Sequence, residues 1–108
     1  LMPTLETHLI ERLRLPAGCR RVPLTQLGCA GGAAGLALAG ALGDGAPGLK
    51  VLVVSVELPS LSFPRFEPSP SDIVASTQFG DGAAAAVVAG SQTARGPAVL
   101  AAGSALFP

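Results

Sequence analysis

The chain holds no tryptophan and no tyrosine, a single histidine, two cysteines, and charge on only 13% of its 108 residues. Each scarcity removes a class of function. Seven basic residues are balanced by seven acidic ones; with no Trp or Tyr to stack on bases, no nucleic-acid surface is expected. Cys19 and Cys29 are too few for a disulfide framework. His8 alone provides no Cys/His cluster at metal-ligand spacing. No apolar run reaches the roughly 20 residues of a membrane span, and the first residues lack the charged-then-apolar order of a secretory leader. The expectation is a cytoplasmic protein with reduced thiols and with neither nucleic acid nor membrane as partner.

The low charge itself needs a cause. Hydrophobic residues make up 49% of the chain, which is too apolar for a disordered segment. The surface of a lone small domain is usually about a quarter to a third charged. Much of this surface is therefore expected to be covered by other parts of a larger protein.

Along the chain, Thr4 is placed to cap a helix running to about Leu13. Leu5, Leu9, Ile10 and Leu13 share one helical face, Arg12 and Arg14 suit its C-terminal end, and Pro16 and Gly18 break it. Residues 20–26 read as a short strand leading into Gly28-Cys29. Residues 30–42 have no polar face, the mark of a buried helix. Gly31, Gly32, Gly35 and Gly40 each cost about 1 kcal/mol against alanine in a helix, so close packing against neighbouring backbones must require them. Asp44 to Gly48 is a turn. Val51-Leu52-Val53-Val54-Ser55-Val56 is the near-continuous β-branched pattern of a strand covered on both faces in a parallel or mixed sheet. A proline-rich loop follows over residues 58–71. Asp72 is placed to cap a short helix to about Gln78. Gly80-Asp81-Gly82 is a sharp turn, residues 83–89 a strand of small residues, and residues 98–106 a last strand. Helices alternating with strands indicate an α/β fold.

Cys29 between a strand and the start of a buried helix has chemical meaning. The helix N-terminus carries about half a positive charge, which favours a thiolate and so a better nucleophile. Free N–H groups of a first turn stabilise an oxyanion on an acyl thioester, and Gly31 and Gly32 leave room for a substrate arm. By spacing alone, however, a simply buried cysteine is the commoner reading.

Several segments resemble type III polyketide synthases, the chalcone- and stilbene-synthase-like enzymes of the thiolase superfamily. Leu27-Gly28-Cys29-Ala30-Gly31-Gly32-Ala33-Ala34-Gly35-Leu36 is similar to their nucleophile segment. Residues 51–58 are similar to the strand after it, and Phe79-Gly80-Asp81-Gly82-Ala83 to their Phe-Gly-Asp-Gly-Ala turn. Met2-Pro3 lies at the distance before Cys29 of their Met-Pro loop, and residues 99–108 resemble the next strand region. The resemblance covers essentially the whole chain. It implies that residues 1–108 are part of a thiolase-like layered domain (αβαβα in the full enzyme), from the N-terminal half.

It also implies roles, one residue at a time. Cys29 matches the nucleophile that takes a starter acyl group from coenzyme A and holds the growing chain. Phe79 matches a gatekeeper aromatic; as a plain core residue it would cap the turn, and the two readings are compatible. Ser62 falls near a cavity position that tunes chain length. Met2 matches a residue that reaches into a partner subunit's cavity, implying a homodimer. The implied substrates are acyl-CoA and malonyl-CoA, with no separate cofactor and no metal. The catalytic His and Asn of the family belong to its C-terminal half. The chain has no Asn, and His8 precedes the nucleophile, as a surface or interface residue. The family's basic CoA-binding residues are likewise not among these 108, so the segment alone is expected to be inactive. Two alternatives stand beside this reading: a ketoacyl-ACP synthase of the priming class, and a non-catalytic remnant or assembly module. The loop over residues 62–67 and Thr77-Gln78 depart from the family pattern, which leaves specificity open.

Overall fold

In the computed structural model, which describes residues 4–63, 66–90 and 95–106, one long helix lies across a two-stranded sheet. The first helix, α1 (Leu5–Arg12), begins where Thr4 takes extended backbone. The Thr4 hydroxyl does not cap a free N–H; it donates to the Glu6 carboxylate. The helix stops at Arg12, four residues before Pro16. Arg14 adopts left-handed backbone, φ +50°, while Arg14 N–H donates to Glu11 O at 3.1 Å and Leu15 N–H to Ile10 O at 3.0 Å. This pair of bonds is the usual glycine-terminated helix end, made here with an arginine in the left-handed position.

Residues 20–26, expected as a strand, are irregular. A strand needs a partner ladder, and among the described residues the sheet contains two strands only: β1 (Lys50–Glu57) and β2 (Gly82–Ala89). For the same reason residues 98–106 form no strand. The two strands pair antiparallel, from Lys50↔Ala89 to Glu57↔Gly82. The β-branched run did identify β1, yet the parallel or mixed pairing expected from it is not what these residues make with one another.

The second helix, α2 (Gly31–Gly45), follows a short 3-10 turn at Gly28–Ala30. Its composition is poor for a helix, and packing supplies the reason. Gly32, Gly35, Ala39 and Gly43 recur at spacings of three and four, which makes one stripe. A methyl group on Gly32 would meet Ser55 Oγ at 3.5 Å, and one on Gly35 would meet Val53 Cγ1 at 3.3 Å. Ala39 is 1% exposed. At Gly43 the two backbones touch: a methyl on Gly90 would fall 2.8 Å from Gly43 O, closer than any real contact. Eleven residues of helix from Gly32 to Gly43 rise about 16 Å, and five residues of strand from Ser55 to Lys50 about 17 Å. The helix therefore runs the length of β1 in the opposite direction.

The stripe covers one face of the sheet. By alternation, Val51, Val53 and Ser55 face α2, with their partners Val88, Ala86 and Ala84. Leu52, Val54, Val56 and Val87 form the other face, and Val87 is 66% exposed. Leu36, Leu38 and Leu42 beside the helix stripe are also partly exposed. Within these residues α2 is thus buried along one face, and Val99 approaches it at Gly40.

The third helix, α3 (Pro70–Gln78), begins at Ser69 rather than at Asp72. Ser69 and Asp72 form a reciprocal cap: Asp72 N–H donates to Ser69 Oγ at 3.2 Å and Ser69 N–H to Asp72 Oδ2 at 2.8 Å. Asp72 is the third helical residue, the usual place of the acidic member of such a box. Proline at the first position costs nothing, since its missing N–H would have had no partner.

The surface measures 9336 Å², where a folded monomer of 10.6 kDa exposes about 5,500 Å². The radius of gyration is 17.0 Å, against about 13 Å for a compact domain of this size. The apolar faces left open are in keeping with the low charge.

Candidate active site

Two left-handed residues, Gln26 (φ +63°) and Gly28 (φ +53°), turn the irregular segment sharply into the 3-10 turn that carries Cys29. The turn is closed by Ala30 N–H donating to Leu27 O at 3.2 Å. Gly28 is the residue that takes positive φ without side-chain strain; Gln26 does so at some cost. Cys29 is a free, exposed thiol, two residues before the first residue of α2. On the sequence alone the rival reading was a buried structural cysteine; within the described residues Cys29 is not buried. Cys19, the other free thiol, is exposed in the irregular segment, its Sγ 3.7 Å from Arg20 O.

The topology settles what lies near this end. Because α2 runs against β1, its N-terminal end lies over Ser55, close to the last strand pair, Glu57↔Gly82. The chain leaves β1 there through Leu58 into a 3-10 turn, Pro59–Leu61, followed by Ser62. It enters β2 there through Phe79-Gly80-Asp81. Cys29, Ser62 and Phe79 are 50 residues apart at their widest in sequence, and the fold brings them to one end of the sheet. Ser62 is exposed and Phe79 is 52% exposed, so neither is a core residue of the described chain. Met2 lies outside the described residues. His8 is exposed on α1.

Sequence reasoning read Gly80–Gly82 as a plain turn and overlooked what Asp81 does. Its carboxylate accepts two hydrogen bonds from one residue of the opposite exit. Ser60 N–H donates to Oδ1 at 3.0 Å and Ser60 Oγ–H to Oδ2 at 2.5 Å. The Ser60 hydroxyl, and after it the Ser60 N–H, hold the Asp81 carboxyl below the usual carboxylate range, because both donors favour the charged form. An aspartate in a Gly-Asp-Gly turn was a visible signal; its partner 21 positions away was not.

Residues 1–97 match the family described as chalcone and stilbene synthases, N-terminal domain. The chain is 44% identical over 96 residues to a 1,3,6,8-tetrahydroxynaphthalene synthase of Streptomyces peucetius subsp. caesius, which covers 86% of this chain and 24% of that protein. It is 42% identical over 89 residues to type III polyketide synthase 10 of Oryza sativa subsp. japonica, covering 82% and 22%. The chain spans about a quarter of the length of the curated relatives it matches. No solved structure matches it.

Proposed function

Since this chain belongs to the chalcone and stilbene synthase family, within its N-terminal domain, we propose that it is part of a type III polyketide synthase in which Cys29 carries the acyl chain. The observation that supports this most is the exposed Cys29 thiol at the mouth of α2, at the sheet end that also holds Phe79 and Ser62. The Cys29 thiolate attacks the carbonyl of an acyl-CoA; a new thioester forms and the CoA thiolate leaves. Malonyl-CoA then loses carbon dioxide, and the resulting enolate carbon attacks the Cys29-bound carbonyl. A carbon–carbon bond forms, the Cys29 thiolate is expelled, and the chain, two carbons longer, resides on CoA until it returns to the cysteine.

The enolate and the tetrahedral intermediate both place negative charge on oxygen. Loss of one donor to such an oxygen typically slows an enzyme about a hundred- to a thousandfold. The His and Asn that the family resemblance implies for this task are not supplied by these residues, so the 108-residue chain alone is inactive in this reading. The active unit is a homodimer, cytoplasmic, with CoA thioesters as substrates and no further cofactor; residues 1–108 are one part of its thiolase-like domain. Among the described residues no helix is long and apolar enough to cross a membrane.

The test is radiolabelled malonyl-CoA incorporation by the intact protein containing these residues, with Cys29→Ala beside it, and peptide mapping after brief iodoacetamide treatment. Product should vanish in the variant, and Cys29 should be labelled before Cys19 although both are exposed. Product that survives Cys29→Ala, or labelling that favours Cys19, would remove the nucleophile and the reading with it.

A further inference from the structure

The antiparallel ladder ends at Glu57↔Gly82, and residues 58–81 form a long excursion between the two strands. Beyond the last ladder pair the two exits have no strand geometry to hold them together. The Asp81–Ser60 contact takes over there: one carboxylate, both oxygens used, spans from the Phe79 turn to the Pro59–Leu61 turn. Ser60 N–H belongs to the first turn of that 3-10 helix, so Asp81 caps it from across the sheet end. Ionised acceptors make hydrogen bonds roughly twice as strong as neutral ones. Phe79 lies two residues before Asp81, and Ser62 two residues after Ser60. Both are at the end of the sheet where Cys29 sits.

We propose that Asp81 is a positioning residue which, through Ser60, sets the separation of the Phe79 turn from the Ser62 turn and thereby the size of acyl group accepted beside Cys29. This deepens the synthase reading and rests on it. The carboxylate touches no reacting atom; it acts by holding two backbone turns. Asp81→Ala removes both bonds. Asp81→Asn keeps the shape: its oxygen still accepts from Ser60 N–H, and its NH₂ donates to a Ser60 hydroxyl that has turned to accept. Ser60→Ala removes the hydroxyl bond and leaves the N–H bond. Displacement of about 1 Å near a reacting group typically costs up to a hundredfold in rate, so a loosened turn is expected to alter kinetics by a readable amount.

The experiment measures kcat and KM of the intact protein for a six-carbon and a twelve-carbon acyl-CoA starter, with malonyl-CoA as extender. Asp81→Ala should change the ratio of kcat/KM between the two starters by about tenfold. Asp81→Asn should bring the ratio back to within about threefold of the parent, with Ser60→Ala in between. The rate of Cys29 alkylation should stay the same in all three. An Asp81→Ala protein that keeps the parent ratio while still forming Cys29-dependent product overturns the positioning role and leaves the synthase reading intact. If Asp81→Ala does not fold, Ser60→Ala decides in its place: an altered ratio supports the role, and an unaltered one overturns it. No Cys29-dependent product from the parent protein would overturn the synthase reading, and this proposal with it.

Discussion

The body of the layer and its Cys29 end are held by opposite means. Along α2, glycines and alanines bring backbones together until Gly43 and Gly90 touch, and the bonding there is contact without charge. At the other end of the sheet, the turns around Phe79 and Ser60 are held by a carboxylate, Asp81 on Ser60, and in the excursion between the strands the start of α3 is held by another, Asp72 on Ser69. Close packing tolerates no added atom and is indifferent to pH, whereas a carboxylate on exposed turns tolerates shape changes and depends on its charge. The Cys29 thiol, two residues before α2, lies where the two regions meet.

The largest expected effect breaks the first region. Gly90→Ala puts a methyl 2.8 Å from Gly43 O, and no flexible side chain is there to yield. Overpacking of this kind costs about 1–3 kcal/mol. Urea unfolding of the intact protein should show the loss, with Gly80→Ala, whose added methyl has nothing within 4 Å, as the unaffected comparison. Equal stability of the two variants would mean that the backbones do not meet.

Next comes the polar region. Ser69→Ala removes one half of the reciprocal cap of α3, worth about 1 kcal/mol, and the loss should appear as faster amide exchange over residues 70–73 with α2 unchanged. Uniform acceleration along the whole chain would show that the two regions unfold as one.

Acid should separate them more gently. Hydrogen bonds from Ser60 and Ser69 hold Asp81 and Asp72 below the usual carboxylate range. A depressed folded-state pKa contributes stability above the unfolded value, about 3.9 for aspartate, and that contribution is lost as pH falls through the folded value. Between neutral pH and about 5 nothing should change. Below about 4, exchange at Ser60 and Asp72 should quicken before exchange in α2 does. Loss of α2 protection first would reverse the comparison.

The smallest effect lies outside both regions. Arg14 holds left-handed backbone at the end of α1, where glycine avoids the steric penalty. Arg14→Gly should raise stability by under about 1 kcal/mol, since glycine's greater freedom in the unfolded chain offsets part of the gain. A fall in the thermal midpoint would mean that the arginine side chain contributes more than its backbone costs.

Much of this was legible in the residues. The alternation of helix and strand, the apolar glycine-rich run over residues 30–42, the β-branched run that became β1, and the turn before β2 all follow from local chemistry, and the match of residues 1–97 to the family agrees with the resemblance read there. The two misread strands share one cause. Residues 20–26 and 98–106 have strand-like composition, but a strand exists only where a second one supplies its hydrogen bonds. A β-branched run states that two faces are to be covered and says nothing of the direction of the neighbour. The start of α3 was misplaced by three residues because Asp72 suits the cap and the third helical position alike, and only the bonds to Ser69 distinguish them.

The sequence by itself determined the elements, the small-residue stripe and the presence of a cysteine at the start of a helix, because propensity, period and volume are properties of neighbouring residues. Tertiary structure alone decided that Cys29, Ser62 and Phe79 share one end of a sheet, that Gly43 needs glycine at position 90, and that Asp81 serves Ser60. Those are pairings between residues 17 to 50 positions apart. The antiparallel register of β1 and β2 and the reversed run of α2 across them bring each pair together, and no local pattern encodes a partner at that distance.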